Sequence, residues 1–150
     1  MLFAMPSFIT EIPVRFGEID HGGIVYYPRI SHYLHIAFEE FFAAGVGQPY
    51  PHVFDERRLG FPTVHSDIDY RIPLAYGDRL QVEAVVTRLG RSSLEMRYRI
   101  RKNAGVEICT EATITTCCIH MESFRPTPIP DDLRAVFARF IAEDDGEGAA

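Results

Sequence analysis

The chain has 150 residues, of which 47% are hydrophobic and 24% charged, and its 15 basic against 21 acidic side chains give a net charge of −6. That length suits one domain, since single cores divide only beyond about 250 residues. So acidic a balance lacks the electrostatic footprint of a nucleic-acid binder, and no run of about 18 apolar residues is present to cross a membrane.

In chain order, Ile9 to Phe16 reads as a first strand. A long helix is expected from Ile30 to Ala44, where Ile30, Tyr33, Leu34, Ala37, Phe38, Phe41 and Phe42 recur at helical spacing. Pro28 suits its first turn and Gly45 its C-terminal cap. The period then switches to two. Val64, Ser66, Ile68, Tyr70 and Ile72 alternate with Thr63, His65, Asp67, Asp69 and Arg71. Leu80, Val82, Ala84 and Val86 alternate with Gln81, Glu83, Val85 and Thr87, and Leu94, Met96, Tyr98 and Ile100 with Glu95, Arg97, Arg99 and Arg101. Glu107 to His120 forms a last β-branched run. Turns are marked by Gly77-Asp78, Leu89-Gly90-Arg91 and Asn103-Ala104-Gly105. A short helix follows, carrying Leu133, Val136, Phe137, Phe140 and Ile141, with Asp131 or Asp132 as N-cap.

Sequential strands joined by tight turns imply an antiparallel sheet, and the aromatic first helix must be wrapped by it. The fold class is therefore α+β: a long central helix, a five-stranded antiparallel sheet and a short C-terminal helix. One domain is expected over 1–143, followed by a flexible acidic tail over 144–150. A single layer with exposed edges favours oligomers. The opening residues do not read as a secretion signal. Cys109, Cys117 and Cys118 form no C-x-x-C pair. A reducing cytoplasm is the expectation.

The segment with most chemistry runs from Arg15 to Pro28. It sets a carboxylate, Asp20, and two glycines, Gly22 and Gly23, just ahead of a helix start. Glycine permits positive φ and close backbone approach. The free N–H groups of a helix's first turn carry partial positive charge and stabilise a developing oxyanion. An ionised aspartate beside them can act as nucleophile or general base. Acyl transfer needs that pair of groups; the plain alternative is a capped turn.

Phe16, Asp20, Gly23, Val25 and Tyr27 read as F-x-x-x-D-x-x-G-x-V-x-Y. In this the segment resembles the hotdog-fold acyl-CoA thioesterases of the 4-hydroxybenzoyl-CoA thioesterase type. By element order the resemblance spans about residues 8 to 125, while its motif is confined to about 14. It implies a hotdog fold in which a catalytic carboxylate at Asp20 attacks the thioester or activates water. It also implies an oxyanion donor at the Tyr27 backbone N–H, with Gly22 and Gly23 admitting substrate closely. Some branches carry His at that last position; Tyr27 places this chain nearer the 4-hydroxybenzoyl-CoA branch. His21 is read as a variable turn residue.

The resemblance further implies that Arg88 and Arg91, flanking a turn, meet the phosphates of coenzyme A, a task suited to the planar guanidinium. Arg97, Arg99 and Arg101 read as a solvated outer face paired with Glu107 or Glu111, with phosphate binding the minority reading. His32, His35 and Glu39 share one side of the helix without further metal ligands, so a polar stripe or subunit contact is expected and no metal. His65, Asp67 and Asp69 read as an outer face, with Thr63 or His65 as possible substrate contacts.

The function expected is hydrolysis of an acyl-CoA, aromatic ones such as 4-hydroxybenzoyl-CoA or benzoyl-CoA included, to free acid and CoA. No cofactor is needed beyond the CoA of the substrate. Partners are expected to be a second copy, as homodimer or homotetramer, with neither nucleic acid nor membrane. The rivals are a non-catalytic acyl-CoA or acyl-carrier-protein binding module, and a hotdog dehydratase.

Overall fold

A computed structural model describes residues 7–142. The acidic tail expected over 144–150 lies outside the described residues. Strand β1 (Phe8–Pro13) leads through a short 3-10 turn at Phe16–Glu18 to the long helix α1 (Tyr27–Glu40). Helix α2 (Tyr50–Asp55), β2 (Leu59–Gly60), β3 (Thr63–Tyr70), β4 (Arg79–Leu89), β5 (Ser93–Lys102), β6 (Thr110–Cys117), β7 (Ile119–His120) and α3 (Asp131–Ala138) complete the chain.

The five long strands form one antiparallel sheet in the order β1-β4-β5-β6-β3, and β2 and β7 make a separate two-stranded ribbon. Alternation decides which face is inner. Leu80, Val82, Ala84, Val86, Leu94, Met96, Tyr98 and Ile100 are buried against Ile30, Tyr33, Leu34, Ala37 and Phe38 of α1. Each such side chain is worth about 1.5–3 kcal/mol when fully buried. The outer face is charged as its spacing implies. Arg99 Nε donates to Glu111 Oε2 at 2.6 Å and Arg101 lies 3.5 Å from Glu83. Burial alone would raise the Glu111 carboxyl. The bond to Arg99, with the charges of Arg99 and Arg71, more than offsets that and holds it below its ordinary range.

The helix ends differ from the expectation. After Glu40 the chain widens into a π-turn, Phe41–Val46, and Gly47 at φ 80° is the residue that ends it. Gly45 sits inside that turn for a packing reason: a Cβ there would come within 3.0 Å of the Phe41 ring and 3.3 Å of Phe8. At α3 the N-cap is Pro130, and Asp131 and Asp132 fall in the first turn. Asp132 serves a tertiary contact, taking two hydrogen bonds from Arg57 at 2.7 and 2.8 Å. Arg57 holds its carboxyl well below the usual carboxylate range. Phe137 of α3 packs on Phe41, Phe42 and Phe61 with ring centroids 5.7–6.1 Å apart.

Candidate active site

Residues 15–26 form a tight hairpin pinned to the start of α1. Ile19 bridges Val25, Asp20 N–H donates to Ile24 O at 2.9 Å, and Tyr26 N–H donates to Glu18 O at 2.9 Å. The hairpin is tied to the β3–β4 connection by the Val25 N–H to Leu74 O bond of 2.7 Å. A side-chain clasp adds to this: Glu18 Oε1 accepts the Tyr33 hydroxyl at 2.8 Å and the Arg15 N–H at 2.7 Å. Burial and the Glu18 carboxylate both push the Tyr33 phenol up, so it stays a donor. The motif does not reveal the bond between Glu18 and Tyr33, which joins residues 15 apart in sequence.

Asp20 stands at the hairpin tip, exposed to solvent. Its Oδ1 accepts the Gly22 N–H at 2.7 Å, and its backbone O accepts the Gly23 N–H at 3.0 Å. Gly23 has φ 82°, which an L side chain strains to adopt. Gly22 is needed differently, since a Cβ would stand 3.0 Å from Asp20 Oδ1. One carboxylate oxygen is thus fixed, and the other takes no partner among the described residues. Tyr27 opens α1 with Pro28 behind it, and Arg29 N–H bonds Tyr26 O at 2.8 Å. Among the described residues the Tyr27 N–H meets no acceptor, leaving a free donor at the positive end of a 14-residue helix.

Two clefts open along the edge of β3. The larger, about 330 Å³, runs down α1 past Ser31, Leu34, His35 and Phe38, with Tyr98, Ile114 and Thr116 of the sheet as its floor. Phe61, Thr63 and Ser66 bound its other side. Thr63 reaches it because of a bulge. The register slips between Thr63 and His65, so Thr63 stands opposite Thr116 while His65 stands opposite Thr115. Strict alternation would have put Thr63 and His65 on one face; the structure separates them, and His65 does not line the cleft. The smaller cleft, about 160 Å³, lies between Tyr27, Tyr70 and Leu74. Thr110 borders it with a buried hydroxyl that finds no partner. Asp20 lines neither cleft; the smaller reaches Tyr27 at the helix start, and the larger begins a turn further on, at Ser31.

The structure therefore groups Asp20, Gly22 and Gly23 at the hairpin tip, sets Tyr27 at the base of the same hairpin and leaves Arg88 and Arg91 elsewhere. The hairpin meets the start of β4 through the Val14 N–H to Asp78 O bond, while Arg88 lies near the far end of that strand. Ten strand residues separate the two ends, about 30 Å within one protomer. Arg91 sits in the β4–β5 turn, whose carbonyls at Gly90 and Arg91 accept Arg134 Nη2 at 2.7 and 2.9 Å. His32 and His35 stack with ring centroids 6.5 Å apart, and His35 Nε2 is 3.7 Å from Glu39 Oε1. Among the described residues no three His, Cys, Asp or Glu side chains group as metal ligands, and no helix is long and apolar enough to cross a membrane.

Comparison with known proteins gives four findings. A family model described as the thioesterase-like superfamily matches residues 14–137. The 1,4-dihydroxy-2-naphthoyl-CoA hydrolase of Synechococcus elongatus is 34% identical over 131 residues, covering 87% of this chain and 94% of that protein. An acyl-CoA thioesterase of Haemophilus influenzae is 24% identical over the same shares of each chain. Among solved structures, a 1,4-dihydroxy-2-naphthoyl-CoA thioesterase from Synechocystis superposes with a TM-score of 0.80 at 22% identity, over 88% of this chain and 96% of that one. The last likeness bears on the fold.

Proposed function

The chain belongs to the thioesterase-like superfamily, and we propose that it hydrolyses an aromatic acyl-CoA to the free acid and CoA. One observation carries the reading: a half-anchored carboxylate, Asp20, stands at the tip of the hairpin that leads into α1, and Tyr27 at the start of that helix keeps an unengaged N–H. The Tyr27 N–H takes the thioester oxygen and stabilises the charge that develops on it, an effect worth about 10²–10³ in rate for a well-placed donor. Asp20 either removes a proton from the attacking water or attacks the carbonyl carbon itself, to be released by water. Both routes consume one water and expel CoA as its thiol. The thioester is already activated, so the chemistry calls for no cofactor.

The aromatic preference rests on the Leu34, Phe38, Phe61 and Tyr98 walls and on the activity named for the Synechococcus elongatus relative. The working unit proposed is a dimer paired through β3, whose edge is exposed along nearly all of its eight residues. Antiparallel pairing of β3 with its own copy reverses the sheet across the two-fold axis. The partner's β4–β5 turn, with its arginines, then stands at the end where Asp20 lies, so the CoA phosphates have a place to go. Three free cysteines suit a reducing cytoplasm.

Thiol release from naphthoyl-, benzoyl-, 4-hydroxybenzoyl-, butyryl- and palmitoyl-CoA tests the reading. Stoichiometric CoA from the aryl esters is the expected result. Saturable binding without thiol release would assign the chain to the binding modules instead.

A further inference from the structure

A carboxylate on an exposed hairpin tip does chemistry only if something fixes the tip against the body of the protein. Most bonds around Asp20 lie within the hairpin: Asp20 N–H to Ile24 O, Gly23 N–H to Asp20 O and the Ile19–Val25 bridge set its shape and not its place. Two backbone bonds attach it elsewhere. Val14 N–H reaches Asp78 O at 2.9 Å just before the hairpin begins, and Val25 N–H reaches Leu74 O at 2.7 Å on its second arm. The first arm, residues 15–20, carries the carboxylate. Among the described residues that arm makes one hydrogen bond outside the hairpin, accepting the Tyr33 hydroxyl on Glu18 Oε1 at 2.8 Å.

Both partners suit the task of an anchor. Tyr33 is fully buried in α1, its ring held in the core with Leu34, Ala37 and Phe38, so its hydroxyl is a fixed point that the loop itself lacks. A phenol that donates to a carboxylate makes a charge-assisted bond, about twice as strong as a neutral one. Glu18 in turn joins the parts of the site. Its Oε1 also takes the Arg15 N–H at 2.7 Å, and its carbonyl takes the Tyr26 N–H at 2.9 Å, one residue ahead of the Tyr27 donor. Asp20 follows two residues later. Neither Tyr33 nor Glu18 lines a cleft.

We propose that Tyr33 and Glu18 are a positioning pair for the hydrolysis: their bond carries the rigidity of the α1 core out to the hairpin and holds Asp20 in register with the Tyr27 N–H. The inference rests on the thioesterase reading above and adds to it the residues through which the fold acts on Asp20. A misplacement of about 1 Å costs ~10² in rate. Because the pair stands away from the cleft walls, its loss falls on kcat and leaves KM in place.

The test is kcat, KM and melting temperature on the best aryl-CoA substrate for wild type, Y33F, E18A, E18Q, D20N and the Y33F/D20N double variant, each assayed well below its melting temperature. Y33F keeps the buried ring and removes only the hydroxyl; it should lower kcat about tenfold with KM within about twofold. E18A, which also releases the Arg15 N–H, should lose about 10²-fold, and E18Q, which keeps an acceptor oxygen, should return to within about threefold of wild type. Adding Y33F to D20N should cost nothing further, since the pair acts through Asp20. Where Y33F does not fold, the comparison of E18A with E18Q decides. Y33F at the wild-type kcat beside a slow D20N, a rise in KM in place of the fall in kcat, E18Q as slow as E18A, or an undiminished Y33F loss in the D20N background would each overturn the proposal. D20N at the wild-type rate, or wild type that releases no thiol, would instead overturn the reading of the site, and this inference with it.

Discussion

The two margins of the sheet treat α1 differently. On the β4–β5 side, every inward side chain from Leu80 to Val86 and from Leu94 to Ile100 is buried, and the helix is sealed beneath aromatic and branched groups. On the β3 side the strand is exposed along nearly its whole length, Val64 and Tyr70 are open to solvent, and both clefts lie there. The sealed side supplies stability; the open side supplies surface whose bonding capacity the fold has not used. Exposed Ser31 and His35 therefore mean something different from the half-buried arginines of the outer face, which have Glu111 and Glu83 beside them.

Substitutions on each side should separate these roles. Phe41→Ala, which empties a fully buried ring packed on Phe8, Phe42, Phe137 and Phe140, should cost about 3–5 kcal/mol. Chemical denaturation measures it, and a loss below about 1 kcal/mol would mean the sealed side is not the stabilising one. Gly23→Ala forces a Cβ onto φ 82° and should cost about 1–2 kcal/mol. Because the strain falls on the Asp20 hairpin, turnover should drop more than the melting temperature does. Thr110→Val removes a buried hydroxyl that bonds to nothing and should stabilise the fold by about 1 kcal/mol. A fall in melting temperature would show that the hydroxyl has a partner in solution.

Much of this was legible in the chain. β5 reads directly, because its arginines and apolar residues alternate without a break, and the structure buries every second one. The long helix reads from its spacing, and the Asp20 segment from its glycines and Pro28. The failures share a cause: they depend on contacts distant in sequence. Gly45 fits a cap by pattern, yet it lies inside the π-turn packed against Phe41 and Phe8, and Gly47 takes the left-handed conformation. Helix α2 is not legible, since six residues with Pro49 as N-cap and Pro51 in the first turn show no period. The bulge that turns Thr63 into the cleft is set by pairing with β6, which no run of β3 residues encodes. The resemblance points to Arg88 and Arg91 for the CoA phosphates, and the length of β4 decides which end of the sheet they occupy.

The most direct test of the site is the rate of thiol release from the best aryl-CoA substrate by D20N beside wild type, with melting temperature recorded on the same samples. Asn keeps the shape and the Gly22 contact but removes the charge. The expected result is an unchanged fold and a loss of about 10²–10⁴ in kcat, the range for removing a general base. A D20N enzyme that releases CoA at the wild-type rate would contradict the assignment of the chemistry to Asp20.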